Sequence, residues 1–416
     1  MRGSHRRSLR GAWDAFRHRS GSQGQCEVET RCGRSIRNAW LAERVCTGRE
    51  WASVIGRWRR LPVVGVAVLM TSESPTPPSV LHHPSPSRGV CTSAAPPGLA
   101  VATSRAVSRA MSETFNTERL RVGATIPVGV GPVGVAVDVH DQVFVTNSGS
   151  GTVSVVRSTT NTVTTTIGVG FGPVSVATDP QFGVFVANAG GSTVSVIDRF
   201  NHPVATLDLG GPSGPPPGTV RVAVDHLAGR AYVTNHVGQR MSTIRTSANP
   251  PLVWPFAMEI QGPLGIAIDP VKHVAYVTQP DLGTVSVVDP VADEVTATIP
   301  VGHRPTGISI DAPKRRAYVA NSGLTTVSVI DMTTGAVHDV DVASHPVAVA
   351  VDAKGNAYVS LSDGAVRVID AESSSASAAI PVGSKPEGLA VEPHSNRLYV
   401  ANRGDGTVSV IDLAGG

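Results

Sequence analysis

Seven carboxylates recur at nearly even spacing along residues 117–416: Asp138, Asp179, Asp225, Asp269, Asp311, Asp352 and Glu392. Carboxylates in such number could hold metal ions or act as general acids and bases. Each, however, stands just before a turn-forming stretch such as DPQFG or DAKGN. There an Asp side chain bonds nearby backbone amides and stabilises the bend. A structural role is therefore expected. His303 and His345 occupy nearly equivalent places ahead of Pro305 and Pro346, and two imidazoles could share a metal. No carboxylate or third His of suitable spacing joins them, so neither a metal nor a cofactor is expected. Nucleophile elbows, phosphate-binding glycine loops and zinc-helix motifs do not occur in the chain.

An aromatic ring recurs as well, at Phe144, Phe185, Tyr232, Tyr276, Tyr318, Tyr358 and Tyr399, which includes all five tyrosines. A row of rings could stack ligands. A residue present in every copy of a unit serves what every copy needs, however, and a large side chain in a β-rich unit fills the core. Chemistry particular to this protein must lie where the copies disagree, which is in their loops. Early copies offer only GVGP, NSGSG, GFGP and NAGGS. Later ones carry His236, Arg240, Asp281, His303, Arg304, His345, Asp363, Lys385, Arg403 and Asp405. This mixed, cation-rich arc could dock an anionic ligand or an acidic protein loop. Its expected binding residues are His236, Arg240, His303, Arg304, His345, Lys385, Arg403 and Asp405. No catalytic residue is assigned.

The elements that must carry these loops repeat about every 42 residues. A first block, PVGVAVD at Pro132–Asp138, returns six times in forms such as PLGIAID and PTGISID. A second runs from VFVTN through AYVTN and AYVAN to LYVAN, and a third is GTVSVID or a variant of it. A fourth resembles VTATIPVG. Each block is a short β-branched run bounded by Gly, Asp, Asn or Pro, which is the strand signal. Within GTVSVID, bulky and small residues alternate, so each sheet has one bulky and one small face and neighbours can interlock. Four strands per 42-residue unit, repeated seven times, predict an all-β seven-bladed propeller of four-stranded antiparallel blades. The seventh copy stops at Ile411-Asp412-Leu413 without a fourth strand, while ATIPVG at Ala124–Gly129 stands alone before the first copy. The N-terminal strand is therefore expected to complete the last blade and remove an open edge. The third copy departs most, with GGPSGPPPG before it and MSTIRT in place of GTVSVID.

AYVTN, preceded by PxGVAVD and followed by GTVSVID, resembles the YVTN β-propeller repeat family of bacteria and archaea, over residues 124–412. That resemblance implies the propeller fold and a secreted or cell-envelope setting, and carries no shared activity or catalytic motif.

Residues 1–116 read as a separate, basic, Pro/Ser-rich arm, disordered or an upstream extension, and 117–416 as the propeller. The first 115 residues hold 17 Arg against 7 acidic residues and all four cysteines, leaving 18 basic against 25 acidic residues in the remainder. An acidic body argues against a nucleic-acid partner. The longest apolar run, Leu61–Met70, is ten residues, too short to span a bilayer as a helix. A start at Met111 would imply a cytoplasmic protein. The functional expectation is a monomeric, non-catalytic binding or scaffolding propeller engaging a protein, polysaccharide or small molecule. The alternative is a hydrolase or lyase resembling lactonase or streptogramin-lyase propellers, with His and Asp residues at the central channel.

Overall fold

The computed structural model describes residues 120–210, 220–254 and 258–413. Met111 and the arm expected over residues 1–116 lie outside them. Among the described residues all regular structure is β-strand, and no helix is long and apolar enough to cross a membrane. Seven antiparallel sheets form the blades of a propeller. Blade one runs in simple meander order from its inner strand, Pro132–Val137, through Gln142–Asn147 and Thr152–Arg157 to its outer strand, Thr162–Gly168. The inner strands of blades two to seven are Pro173–Asp179, Val220–Asp225, Ile266–Asp269, Pro305–Asp311, Pro346–Val351 and Pro386–Glu392.

The alternation of bulky and small residues does what it predicts. Hydrophobic side chains gather between blades, and each interface draws on both neighbours. Between blades one and two, Phe144, Val153, Val155 and Ile167 meet Val176, Val184, Val186 and Ile197. At each of these sites burial stabilises by roughly 1.5–3 kcal/mol per aliphatic or aromatic side chain. The recurring rings belong to this core: Phe144, Phe185, Tyr232, Tyr318, Tyr358 and Tyr399 are all buried. Two of the tyrosine hydroxyls bond locally, Tyr318 to the Gly355 carbonyl and Tyr358 to Asp352.

The recurring carboxylates cap turns as expected. Asp138 accepts the amides of His140 and Gln142, Asp179 those of Gln181 and Phe182, and Asp352 those of Lys354 and Asn356. The structure adds a second role at several of them, a staple to the next blade. His273 and Arg315 sit in left-handed turn conformation (φ 56° and 54°), which turns each side chain back onto the preceding blade. His273 Nδ1 lies 2.8 Å from Asp225 Oδ2, and Arg315 reaches both oxygens of Asp269, at 2.9 and 2.8 Å. Burial by itself would raise the Asp269 carboxyl, but the Arg315 guanidinium and the amides of Val271 and Lys272 outweigh it and hold the pKa below its ordinary value.

The Asn that ends the second strand serves more than a turn. Asn402 Nδ2 donates to Thr407 Oγ1 and Ser409 Oγ of the third strand, and its Oδ1 accepts the Gly383 amide from the loop before the inner strand. Asn147 repeats the pattern with Thr152, Ser154 and Gly129. The amide side chain packs so closely on these glycines that a Cβ on Gly129 would stand 2.6 Å from Asn147 Cγ. One recurring side chain thus ties two loops of a blade to its third strand.

Ring closure follows the expectation. Val122–Pro127 pairs antiparallel with Thr407–Asp412 as the fourth strand of blade seven, from Val122↔Ile411 to Pro127↔Thr407 with a register shift between Val122 and Ala124. Ile126 is buried there, against Val408 and Val410 of blade seven and Val143 and Val145 of blade one. Blade three departs from the pattern at its outer edge. Two short segments, Leu252–Val253 and Met258–Glu259, pair separately with Arg240–Arg245, the strand read as MSTIRT.

Candidate functional site

Antiparallel order brings the loop before each inner strand beside the loop after each second strand, and backbone bonds join the two. Ser148 and Gly149 donate to Gly131 and Val130, Gly323 to His303, Ser362 to His345, and Arg403 and Gly404 to Lys385 and Ser384. All the residues expected to bind therefore belong to one rim. They fall into small groups along it. His236 of blade three lies half-buried with Nε2 3.6 Å from Asp281 Oδ2 of blade four, beside Gly262. Arg240 begins the third strand of blade three, opposite Glu259. His303 and Arg304 are exposed, and the Arg304 carbonyl accepts both the amide and the hydroxyl of Ser322. His345 is exposed, with Nδ1 3.1 Å from the Leu324 carbonyl. Lys385, Arg403 and Asp405 cluster on blade seven, where Asp405 accepts the Ser384 amide at 2.6 Å.

Two charged groups that the repeat pattern concealed lie deeper, in the central channel. Seven inner strands line a cavity of about 200 Å³ at the rim end of this channel. One ring of positions carries Gly134, Ser175, Arg221, Gly265, Gly307, Ala348 and Gly388. Small residues are needed because adjacent inner strands pass close together; a Cβ on Gly307 would stand 2.7 Å from Ala348 Cα. Arg221 is the one charged member of that ring. One position earlier, where blade one has Val133 and blade four Leu264, blade seven has Glu387. Burial lowers the Arg221 pKa from its usual range and the Glu387 charge draws it back up, so the two groups sense each other electrostatically. The guanidinium remains charged at any physiological pH. Arg403 connects the channel to the rim, its Nη1 3.3 Å from Glu387 Oε1.

Sequence reading missed Arg221 and Glu387 because VRVAVD and PEGLAVE count as ordinary copies of the first block. The signal was present. At two positions that line the channel, one copy substitutes a charge for a small or aliphatic residue.

His236, His303 and His345 do not contribute to the described lining of the channel cavity. The His345 ring reaches back to the Leu324 carbonyl of blade five, and among the described residues no carboxylate forms an ion pair with His303 or His345. A different trio stands closer together, at the far end of the seam between blades seven and one. Donor atoms of Asp141, Glu392 and His394 all lie within 4.8 Å of one another. His394 Nδ1 is 2.6 Å from Asp141 Oδ1 and 3.4 Å from Glu392 Oε1. Hydrogen bonding to Asp141 raises the His394 pKa. Glu392 already accepts the amides of His394 and Ser395 and the Ser395 hydroxyl. The trio thus bridges the seam where the ring closes with the roles exchanged, the left-handed turn residue Asp141 supplying the carboxylate and blade seven the His.

The geometry can offer a partner a rim of exposed cations with a small charged cleft at its centre. Comparisons with known proteins agree on the architecture. No curated protein sequence matches the chain. A family model described as the choice-of-anchor I domain matches residues 313–416. Virginiamycin B lyase from Staphylococcus aureus, solved as a catalytically inactive variant with quinupristin, superimposes with a TM-score of 0.60 at 13% identity, covering 71% of this chain and 99% of the lyase. A streptogramin B lyase gives 0.60 at 12% identity, covering 72% and 99%. Hydrazine synthase from Kuenenia stuttgartiensis gives 0.57 at 18%, covering 68% and 95%. At these identities the likeness is one of fold, and the chain is a seven-bladed β-propeller similar in shape to proteins of quite different chemistry.

Proposed function

We propose that this chain is a YVTN-type binding or scaffolding propeller, whose rim over blades three to seven engages an acidic segment of a partner protein. The observation that carries this reading is the charge placed in an otherwise small-residue channel. Arg221 and Glu387 stand where the fold asks for small or aliphatic residues, and Arg403 links them to the exposed rim. In this reading Arg304, Lys385 and Arg403 supply the attraction, with His303 and His345 beside them. His236, Arg240 and Asp405 order the loops that present them. A channel cavity of about 200 Å³ falls below the ~300 Å³ of a drug-sized site, which favours a partner spread over the rim. The choice-of-anchor match over residues 313–416 supports a cell-surface setting.

A glutamate octapeptide serves as the probe. Wild-type protein should bind it at low ionic strength and release it in high salt, and the triple variant R304E/K385E/R403E should bind about tenfold or more weakly. Equal binding by the two proteins, or none by either, would remove the proposal. Conversion of quinupristin to a ring-opened product, followed by mass spectrometry, would put the lyase reading in its place.

A further inference from the structure

Blade three breaks the repeat a second time, at the end of the molecule opposite the rim, and the break sets two cations face to face. Elsewhere an arginine that opens the second strand meets an aspartate that closes the third. Arg316 stands opposite Asp331, and Arg397 opposite Asp412, with Nε 2.8 Å from Oδ1. In blade three Arg230 stands opposite Arg245. Like charges directly across a ladder are unfavourable. Among the described residues no carboxylate forms an ion pair with either guanidinium.

Both arginines line one cavity of about 210 Å³ at the seam with blade four, together with Thr243, Trp254, Pro290, Val291 and Asp293. Trp254, the one tryptophan of residues 117–416, is 46% exposed. Its ring lies under the Arg245 guanidinium, 5.1 Å from carbon to centroid. The site therefore combines an unbalanced pair of guanidinium forks, an open aromatic face and a carboxylate.

We propose that this cavity binds a uronate-type sugar acid, with the ligand's carboxylate between Arg230 and Arg245, where blades five and seven supply Asp331 and Asp412. A carboxylate matches the planar forks of the two guanidinium groups. The flat C–H face of a pyranose ring suits the exposed indole, and its hydroxyls can donate to the exposed Asp293 carboxylate. An apolar aryl acid would instead strip water from Asp293 and return nothing. At about 210 Å³ the cavity admits a single ring.

The test titrates the full chain with D-glucuronate, D-glucose and phenylacetate, followed by ligand-observed NMR. Glucuronate should bind, and the other two should bind at least about tenfold more weakly. R245D restores the repeat's own Arg–Asp pair with Arg230. It should melt no lower than wild type and bind glucuronate about 10- to 100-fold more weakly. W254A should retain the fold and weaken binding about tenfold. Absence of glucuronate binding to wild type, or undiminished binding by R245D, would overturn the site. Phenylacetate binding as tightly as glucuronate would overturn the sugar-acid assignment.

Discussion

Removing the strand that closes the ring should open it, and the size of the effect can be worked from the contacts made. A chain starting at Gly131, compared with one starting at Met111, lacks Val122–Pro127. It loses the ladder to Thr407–Asp412, the bond from the Val128 amide to the Gly406 carbonyl, and the buried side chains of Leu120 and Ile126. Loss of a buried Leu or Ile side chain costs about 2–5 kcal/mol, so these two alone account for at least about 4 kcal/mol before the ladder is counted. At an unfolding entropy of about 2.1 cal/mol/K per residue, a propeller of about 300 residues shifts by roughly 1.6 °C per kcal/mol, so the melting temperature should fall by about 6 °C or more. Adding a synthetic peptide of residues 120–130 (LRVGATIPVGV) should recover much of the loss, because it can refill the vacant edge. Scanning calorimetry of both chains, with and without the peptide, measures this directly. Equal melting temperatures would show that the ring does not depend on the N-terminal strand, and failure of the peptide to stabilise the shorter chain would show that edge pairing is not the source of the loss.

Two further outcomes follow from repeated side-chain contacts. Asn402→Ala removes two donor bonds to Thr407 and Ser409 and leaves the Gly383 amide without its acceptor, so it should cost about 2–3 kcal/mol in chemical denaturation, whereas Asn402→Ser on a clamp of purely turn type would cost far less. Asp269→Asn should cost about 3 kcal/mol by stranding Arg315. Because the Asp269 pKa is depressed in the folded state, its contribution is present above the unfolded carboxyl value near 3.9 and is lost as pH falls through the lower folded value. The stability difference between wild type and Asp269→Asn should accordingly shrink as pH falls below about 4, and a difference that stays constant on acidification would count against the staple.

Much of this molecule is legible from the chain alone, because the fold is built by repetition. Period, strand count and the bulky-and-small alternation of GTVSVID follow from local sequence, and the unmatched ATIPVG announces the strand that closes the ring. The same repetition points the tyrosines to the core and the carboxylates to the turns, where the structure places them, since whatever occurs in every blade serves the blade. What repetition hides is juxtaposition between blades. That Asp225 and Asp269 reach His273 and Arg315 depends on left-handed turn residues that aim one blade's side chains at another, nearly fifty positions away. Arg221 and Glu387 are far apart in sequence and unremarkable within their own copies, and only the closed ring brings both to one channel. Arg245 looks like a degenerate strand end until the ladder sets it opposite Arg230. Sequence determined which elements form and how many, because those choices are made within one unit by short-range packing and turn chemistry. Tertiary structure decided which charges share a cavity, because that depends on distances across the ring that no single repeat encodes.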